Sequence, residues 1–258
     1  MDVATVAGLA LAVGGIVGGL VWEGGHVQEI LKPTAAVIVL GGTFGAVLVT
    51  SSMKAVNGAI RAFADLFFEE THSPEALVEE IVGYAAKARK SGVVSLEQDA
   101  ETVADPFLQK ALTLAVDGTD LQELRRMMEL EIEVEEHQVD TYARVFESAG
   151  GYAPTIGIIG AVLGLIQVMK HLADIDEVGK GIATAFVATI YGVGFANVLF
   201  LPAGGKLRAR AQERSRQREL VLEGVISIVE GMNPKMIRSK LAAYCAHDPA
   251  VPRKAAAA

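Results

Sequence analysis

Residues 151–169 read GYAPTIGIIGAVLGLIQVM, a run that contains no Asp, Glu, Lys or Arg. A helix needs about 20 mostly apolar residues to cross the hydrocarbon core of a bilayer, and this run supplies them. Three more uncharged stretches of that length follow from the same reading, at about 3–21, 34–53 and 181–203. The whole chain of 258 residues is 51% hydrophobic with a mean hydropathy of +0.36, beyond the roughly 45–50% apolar content of an ordinary soluble domain. No stretch reads as a strand. The pattern predicts an all-α polytopic membrane protein with four transmembrane helices and a helical cytoplasmic domain. The first span is not expected to be a cleavable signal, because Asp2 stands where Lys or Arg would be needed and the run leads straight into a second span.

Basic residues stay on the cytoplasmic side of a membrane. The connections at 23–33 and 170–180 hold only Lys32, Lys170 and Lys180, so 20 of the 23 Lys and Arg lie in the segment 54–150 and after Pro202. Both termini are therefore expected in the cytoplasm. The chain divides into a first transmembrane hairpin (1–53), a cytoplasmic helical domain (54–150), a second hairpin (151–203) and a basic C-terminal helix and tail (204–258). Cys245 is the single cysteine, which excludes an intrachain disulfide and a thiolate zinc site. The five histidines show no metal-binding spacing, and a net charge of −8 opposes nucleic-acid binding.

Within the cytoplasmic segment, Ser73-Pro74 marks a helix start and Gly92 a stop, with Leu77, Ile81, Tyr84 and Ala88 on one apolar face. Ser95 and Gln98 read as the capping box of a second helix that breaks before Asp105-Pro106. From Asp120 a long helix runs toward the membrane. The segment 54–148 carries 20 Asp and Glu against nine Lys and Arg, whereas Lys206, Arg208, Arg210, Arg214, Arg216 and Arg218 make the last stretch basic. That basic run reads as membrane orientation and contact with anionic lipid heads.

The spans hold no carboxylate or histidine at bilayer depth. Polar groups at that depth include Thr155, Gln167, Thr184, Thr189, Tyr191 and Asn197. Singly, each reads as a helix-stabilising hydrogen bond; together they can line a polar path but cannot carry a proton. If the chain conducts an ion, another polypeptide supplies the titrating group. Glycines at four-residue spacing (Gly14 and Gly18, Gly15 and Gly19, Gly41 and Gly45, Gly160 and Gly164) predict close helix packing within the chain or between copies. Pro154 falls in the first turn of the third span and Pro202 at the inner end of the fourth, positions that proline tolerates and that also suit a hinge.

The stretch from Gly150 through Leu165 and the run Ala188-Thr189-Ile190-Tyr191-Gly192 leading to Asn197 and Pro202 resemble the third and fourth spans of the MotA family of flagellar stator subunits, within the MotA/TolQ/ExbB proton channel group. Four spans favour MotA over the three-span TolQ and ExbB. The resemblance implies that Pro154 and Pro202 couple ion flow to movement and that Thr189 faces a partner's carboxylate. Ala88-Arg89-Lys90-Ser91-Gly92 followed by Leu96-Glu97 is similar to the family's surface for the rotor protein FliG, which places Arg89, Lys90 and Glu97 there.

Sodium-type members carry threonines where this chain has Ala161 and Ala188. Alanine gives sodium no oxygen ligand, so the ion path of Thr189, Ala161, Ala188 and Thr155 is expected to pass protons, with no other cofactor. The resemblance further implies five copies around two helices of a MotB-like single-span protein whose Asp carries the ion, in a bacterial inner membrane. Three rivals stand beside it. One is a TolQ/ExbB-type motor serving another envelope process. A self-contained channel is opposed by the uncharged spans and the lack of an inverted repeat. An intramembrane enzyme is opposed by spans without Cys or His, in which Ser51 and Ser52 have no base.

Overall fold

The computed structural model describes residues 2–68 and 73–245, and among these every regular element is helical. Helix α1 spans Val3–Trp22, capped by the Asp2 carboxylate, which accepts from Thr5 N–H at 3.0 Å. A short α2 (Val27–Ile30) leads to the second span, built from α3 (Pro33–Ala36), a π-helical turn (Val37–Gly41) and α4 (Gly42–Thr50). This span ends at Thr50 and not at 53. Ser51 is extended, and Ser52 caps the amphipathic α5 (Met53–Asp65) by accepting from Ala55 N–H.

Helix α6 (Pro74–Ser91) begins at the Ser73 cap with proline at its first position, and ends at Gly92, whose φ of +82° no other residue adopts cheaply. Its buried stripe is Val78, Ile81, Ala85 and Ala88. Leu77 and Tyr84 pack at the rim of that stripe, so the apolar face is turned slightly from the expected one. Ser95 is not a helix cap: its hydroxyl donates to the Gly92 carbonyl at 2.7 Å, inside a 3-10 turn (Val93–Leu96) that precedes α7 (Glu97–Thr102). Asp105 caps α8 (Pro106–Val116), accepting from Phe107 and Leu108 N–H at 2.8 Å each.

Helix α9 runs unbroken over Leu121–Lys170. The third span is its second half, so Pro154 sits inside a continuous helix and not in a first turn. Helix α10 (Ile175–Gly194) starts at the Asp174 cap, earlier than residue 181. It continues through a π-helical turn (Phe195–Phe200) into α11 (Leu201–Val229), so Pro202 does not end the fourth span either. A proline ring clashes with the carbonyl four residues back, and the wider π turn just before Pro202 gives it room. Helix α12 covers Pro234–Cys245. Among the described residues four helices are long and apolar enough to cross a membrane: Val3–Trp22, Pro33–Thr50, Leu121–Lys170 and Ile175–Val229.

The chain forms two compact units, residues 1–69 with 138–209, and 70–137 with 210–258. The second unit has the larger apolar core, in which Ile81, Leu108, Leu112, Met128, Ile226 and Leu241 are fully buried. Around it Arg125 and Lys240 both pair with Glu223, at 2.9 and 2.5 Å. Burial pushes the Glu223 carboxyl up, but the hydrogen bonds from Lys240 and Arg125 outweigh it and hold the group below its ordinary range.

The basic run behind the fourth span is not a free lipid-facing patch. Arg208 donates to Asp140 at 2.9 Å and to Glu147 at 2.5 Å, Lys206 pairs with Asp2, and Arg218 pairs with Glu135 while stacking on the Phe107 ring. Acidic α9 and basic α11 neutralise each other; the Arg208 guanidinium holds Asp140 below the usual carboxylate range.

Candidate functional site

The third and fourth spans meet along a seam of residues too small to keep the backbones apart. A Cβ placed on Gly192 would fall 2.6 Å from the Ala153 carbonyl oxygen and 3.2 Å from the Pro154 Cα. One on Gly157 would lie 2.9 Å from the Ala188 carbonyl oxygen, and one on Gly164 would lie 2.9 Å from both Ala185 N and Gly181 O. Gly160 faces the Ala188 methyl, and the second span lies over the same seam, with Ile38 against Gly160 and Gly42 against Ile156. In lipid, helices associate by such contact, because the tails are as apolar as the side chains.

The expected site residues distribute around this seam. Ala188 is fully buried within it. Thr189, the next residue, is half-buried and donates to the Ala185 carbonyl at 3.3 Å. Ala161 is half-buried beside Gly160. Thr155 is exposed and donates to the Tyr152 carbonyl at 2.8 Å. Both hydroxyls are thus satisfied by their own helices, and the four positions do not converge on one surface within a single chain. The two prolines are not brought into contact: Pro154 lies against Gly192, ten residues before Pro202, whereas Gly150, one turn before Pro154, packs on Leu201.

The remaining glycine pairs behave differently. Around Gly14, Gly15, Gly18, Gly19, Gly41 and Gly45 an added Cβ would meet no atom within 4 Å, so no described residue outside their own helices packs closely against them.

Sequence reasoning missed Gly181, Ala185 and Gly192, which with Ala188 complete the fourth span's side of the seam. Their signal was small residues spaced four, three and four apart. It also missed the role of Tyr191, whose hydroxyl donates to the Ile30 carbonyl at 2.7 Å and accepts from Lys32 N–H at 3.4 Å, tying the 23–33 connection to the fourth span. No local pattern announces a contact across that separation.

In the other unit, Arg89 and Lys90 close α6 and Glu97 opens α7, on either side of the Gly92 turn. All three are exposed, and none makes an ion pair among the described residues, whereas neighbouring Lys87 is paired with Asp99 at 2.6 Å. Val94, between them, is 65% exposed. Among the described residues no cluster of His, Cys, Asp or Glu could hold a metal ion.

Comparison with known proteins follows the same lines. Residues 99–220 match the model of the MotA/TolQ/ExbB proton channel family, and residues 6–91 match that of the motility protein A N-terminal region. Motility protein A of Bacillus subtilis is 36% identical over 245 residues, covering 95% of this chain and 91% of that protein. The solved structure of C. jejuni MotAB superposes with a TM-score of 0.92 at 29% identity, over 98% of this chain and 100% of that one. The flagellar MotAB stator complex from Bacillus subtilis gives 0.87 at 36% identity, over 93% and 94%. Uncharged spans, a small-residue seam and near full-length similarity together place this chain in the motility protein A branch of the MotA/TolQ/ExbB proton channel family.

Proposed function

We propose that this chain is the stator subunit of a bacterial flagellar motor, converting ion flow into torque together with a MotB-like partner. The observation that carries this is the chemistry of the four spans, which offer hydroxyls and amides at depth but no titratable acid or imidazole. Such a wall positions and surrounds a carrier without being one. The solved relatives are MotAB complexes, and in this chain's assembly a single-span partner brings the Asp that binds and releases the ion. Five copies form the collar, in the inner membrane with both termini in the cytoplasm.

Protonation removes the partner's charge and changes which wall position its Asp prefers. Thr189 is the hydroxyl nearest the seam that faces it, with Thr155, Ala161 and Ala188 shaping the wall. Pro154 and Pro202 let the two inner helices bend. Each proton moves down a gradient whose electrical part is worth about 2.3 kcal/mol per 100 mV. Arg89, Lys90 and Glu97 meet the rotor protein FliG: charges that no described residue neutralises suit a partner of opposite pattern. The absence of hydroxyls at 161 and 188 favours protons over sodium.

The test is reconstitution. Liposomes carrying this chain alone should hold a proton gradient, and liposomes carrying it with its single-span partner, freed of any plug, should dissipate one. Thr189→Val in the complex should slow dissipation several-fold. Proton flow through the chain alone overturns the assignment.

A further inference from the structure

The membrane unit contains a cavity of about 330 Å³, lined by Ala4, Gly8 and Ala12 of α1, by Val198 and Pro202, and by Phe63 of the segment that follows the second span. Thr5, Asn197 and Lys206 also border it. Its extent along α1, from Ala4 to Ala12, corresponds to about 12 Å of helix. An added Cβ on Gly8 would meet nothing within 4 Å, so a longer side chain at this lining position has open space to enter.

Its apolar sides and its single cationic end decide what fills it. Both features are matched by a lipid, whose tail is apolar and whose headgroup offers acceptor oxygens. At a liquid water's share of volume per methylene, about 30 Å³, the crevice has room for about 11 methylenes. Water is a poor occupant, because most of the lining is apolar and offers it too few partners.

The inner end fits a headgroup. Lys206 donates to Asp2 and to Thr5, which uses two of the three N–H bonds of an ammonium. The third is left for a phosphate or ester oxygen, at the depth where the basic segment behind the fourth span begins. We infer that this crevice is a binding site for one acyl chain of an inner-leaflet phospholipid, with Lys206 at its headgroup and the tail lying on Pro202. The occupant thus rests on a proline that the proposed mechanism bends, without being part of the ion path.

The experiment uses the full chain in complex with its partner. The complex is reconstituted in vesicles of phosphatidylethanolamine and phosphatidylglycerol, doped with a phosphatidylethanolamine bearing a diazirine in one acyl chain. After illumination, peptides containing residues 4–12 and 197–206 should carry several-fold more label than those containing residues 14–19. Gly8→Leu, which fills the crevice, should cut that label at least fivefold and leave labelling elsewhere unchanged. Ala12→Leu serves the same purpose at the outer end if Gly8→Leu fails to assemble. Label spread evenly along α1, as when a neighbouring copy covers the crevice, overturns the inference, as does label unchanged by both variants.

Discussion

Gly157 and Gly192 touch backbone to backbone: a Cβ on Gly192 would lie 3.0 Å from the Gly157 Cα, and one on Gly157 would lie 3.1 Å from the Gly192 Cα. No rotamer change relieves such a clash, because the obstructing atoms belong to the main chains of both spans. Gly192→Val should therefore force the third and fourth spans apart, at the cost of about 1–3 kcal/mol or more seen when a packed core is overfilled. The expected outcome is a sharp fall in assembled complex recovered from membranes, together with loss of swimming. Gly14→Ala, at a position with open space around it, is the control for the fold of the single chain. Equal recovery of the Gly192→Val complex and the native one would show that the seam is not required.

Pro202 should separate stability from function. Proline inside a helix costs about 3 kcal/mol relative to alanine, and here it follows a π-helical turn that accommodates it. Pro202→Ala should raise or preserve the melting temperature of the complex while reducing swimming speed severalfold, because a straighter, stiffer helix no longer bends. Normal swimming by this variant would remove Pro202 from coupling.

The exposed charges at the Gly92 turn give the converse case. Arg89→Glu should leave membrane accumulation and melting within about 0.5 kcal/mol of native, as for most surface changes, yet lower swimming strongly. An opposite charge reversal on the rotor protein should restore part of it. Undiminished swimming with Arg89→Glu would mean that the unpaired charge is only solvated.

Much of this architecture was legible because helix ends are written locally. Ser73-Pro74, Gly92 and Asp105-Pro106 each act through atoms within three residues, so reading them needs no tertiary knowledge. Apolarity likewise revealed the four spans, but it marks where lipid begins and not where a helix does. That is why α9 continues far beyond residue 151 and α10 starts at the Asp174 cap. Ser95 misled because a short hydroxyl can bond backward as well as forward, and here the Gly92 carbonyl was nearer. The basic run from Lys206 was read as lipid-facing because its acidic partners, Asp140, Glu147 and Glu135, lie more than 60 residues away in sequence. Arg89, Lys90 and Glu97 were singled out by resemblance, whereas the absence of an ion pair to any described residue became visible only once the pairs around them were placed.

Acid should act on the second unit through Glu223. Its folded-state carboxyl lies below the ordinary value of 4.5 because of Lys240 and Arg125. The stabilisation is therefore present in full above that ordinary value and is lost as pH falls through the lowered one. Glu223→Gln should melt below the native complex at pH 7, and the gap should narrow steadily as pH drops below 4.5. A gap independent of pH would mean that the amide's shape, and not the charge, explains the difference.

Ion choice is testable without any mutation. Sodium sheds its hydration shell only where oxygen ligands replace it; the two positions at which the family's sodium-type members place threonine are Ala161 and Ala188 here, and Ala188 is wholly enclosed by the seam. The two hydroxyls of the proposed ion path, Thr155 and Thr189, already donate to carbonyls of their own helices. A proton needs no such cage, since a carboxylate can carry it. Swimming driven by this stator should therefore persist when external sodium is replaced by potassium at constant ionic strength, and should stop when a protonophore collapses the proton gradient. Cells that halt in potassium and recover on adding sodium would assign the current to sodium, with backbone carbonyls or the partner as ligands.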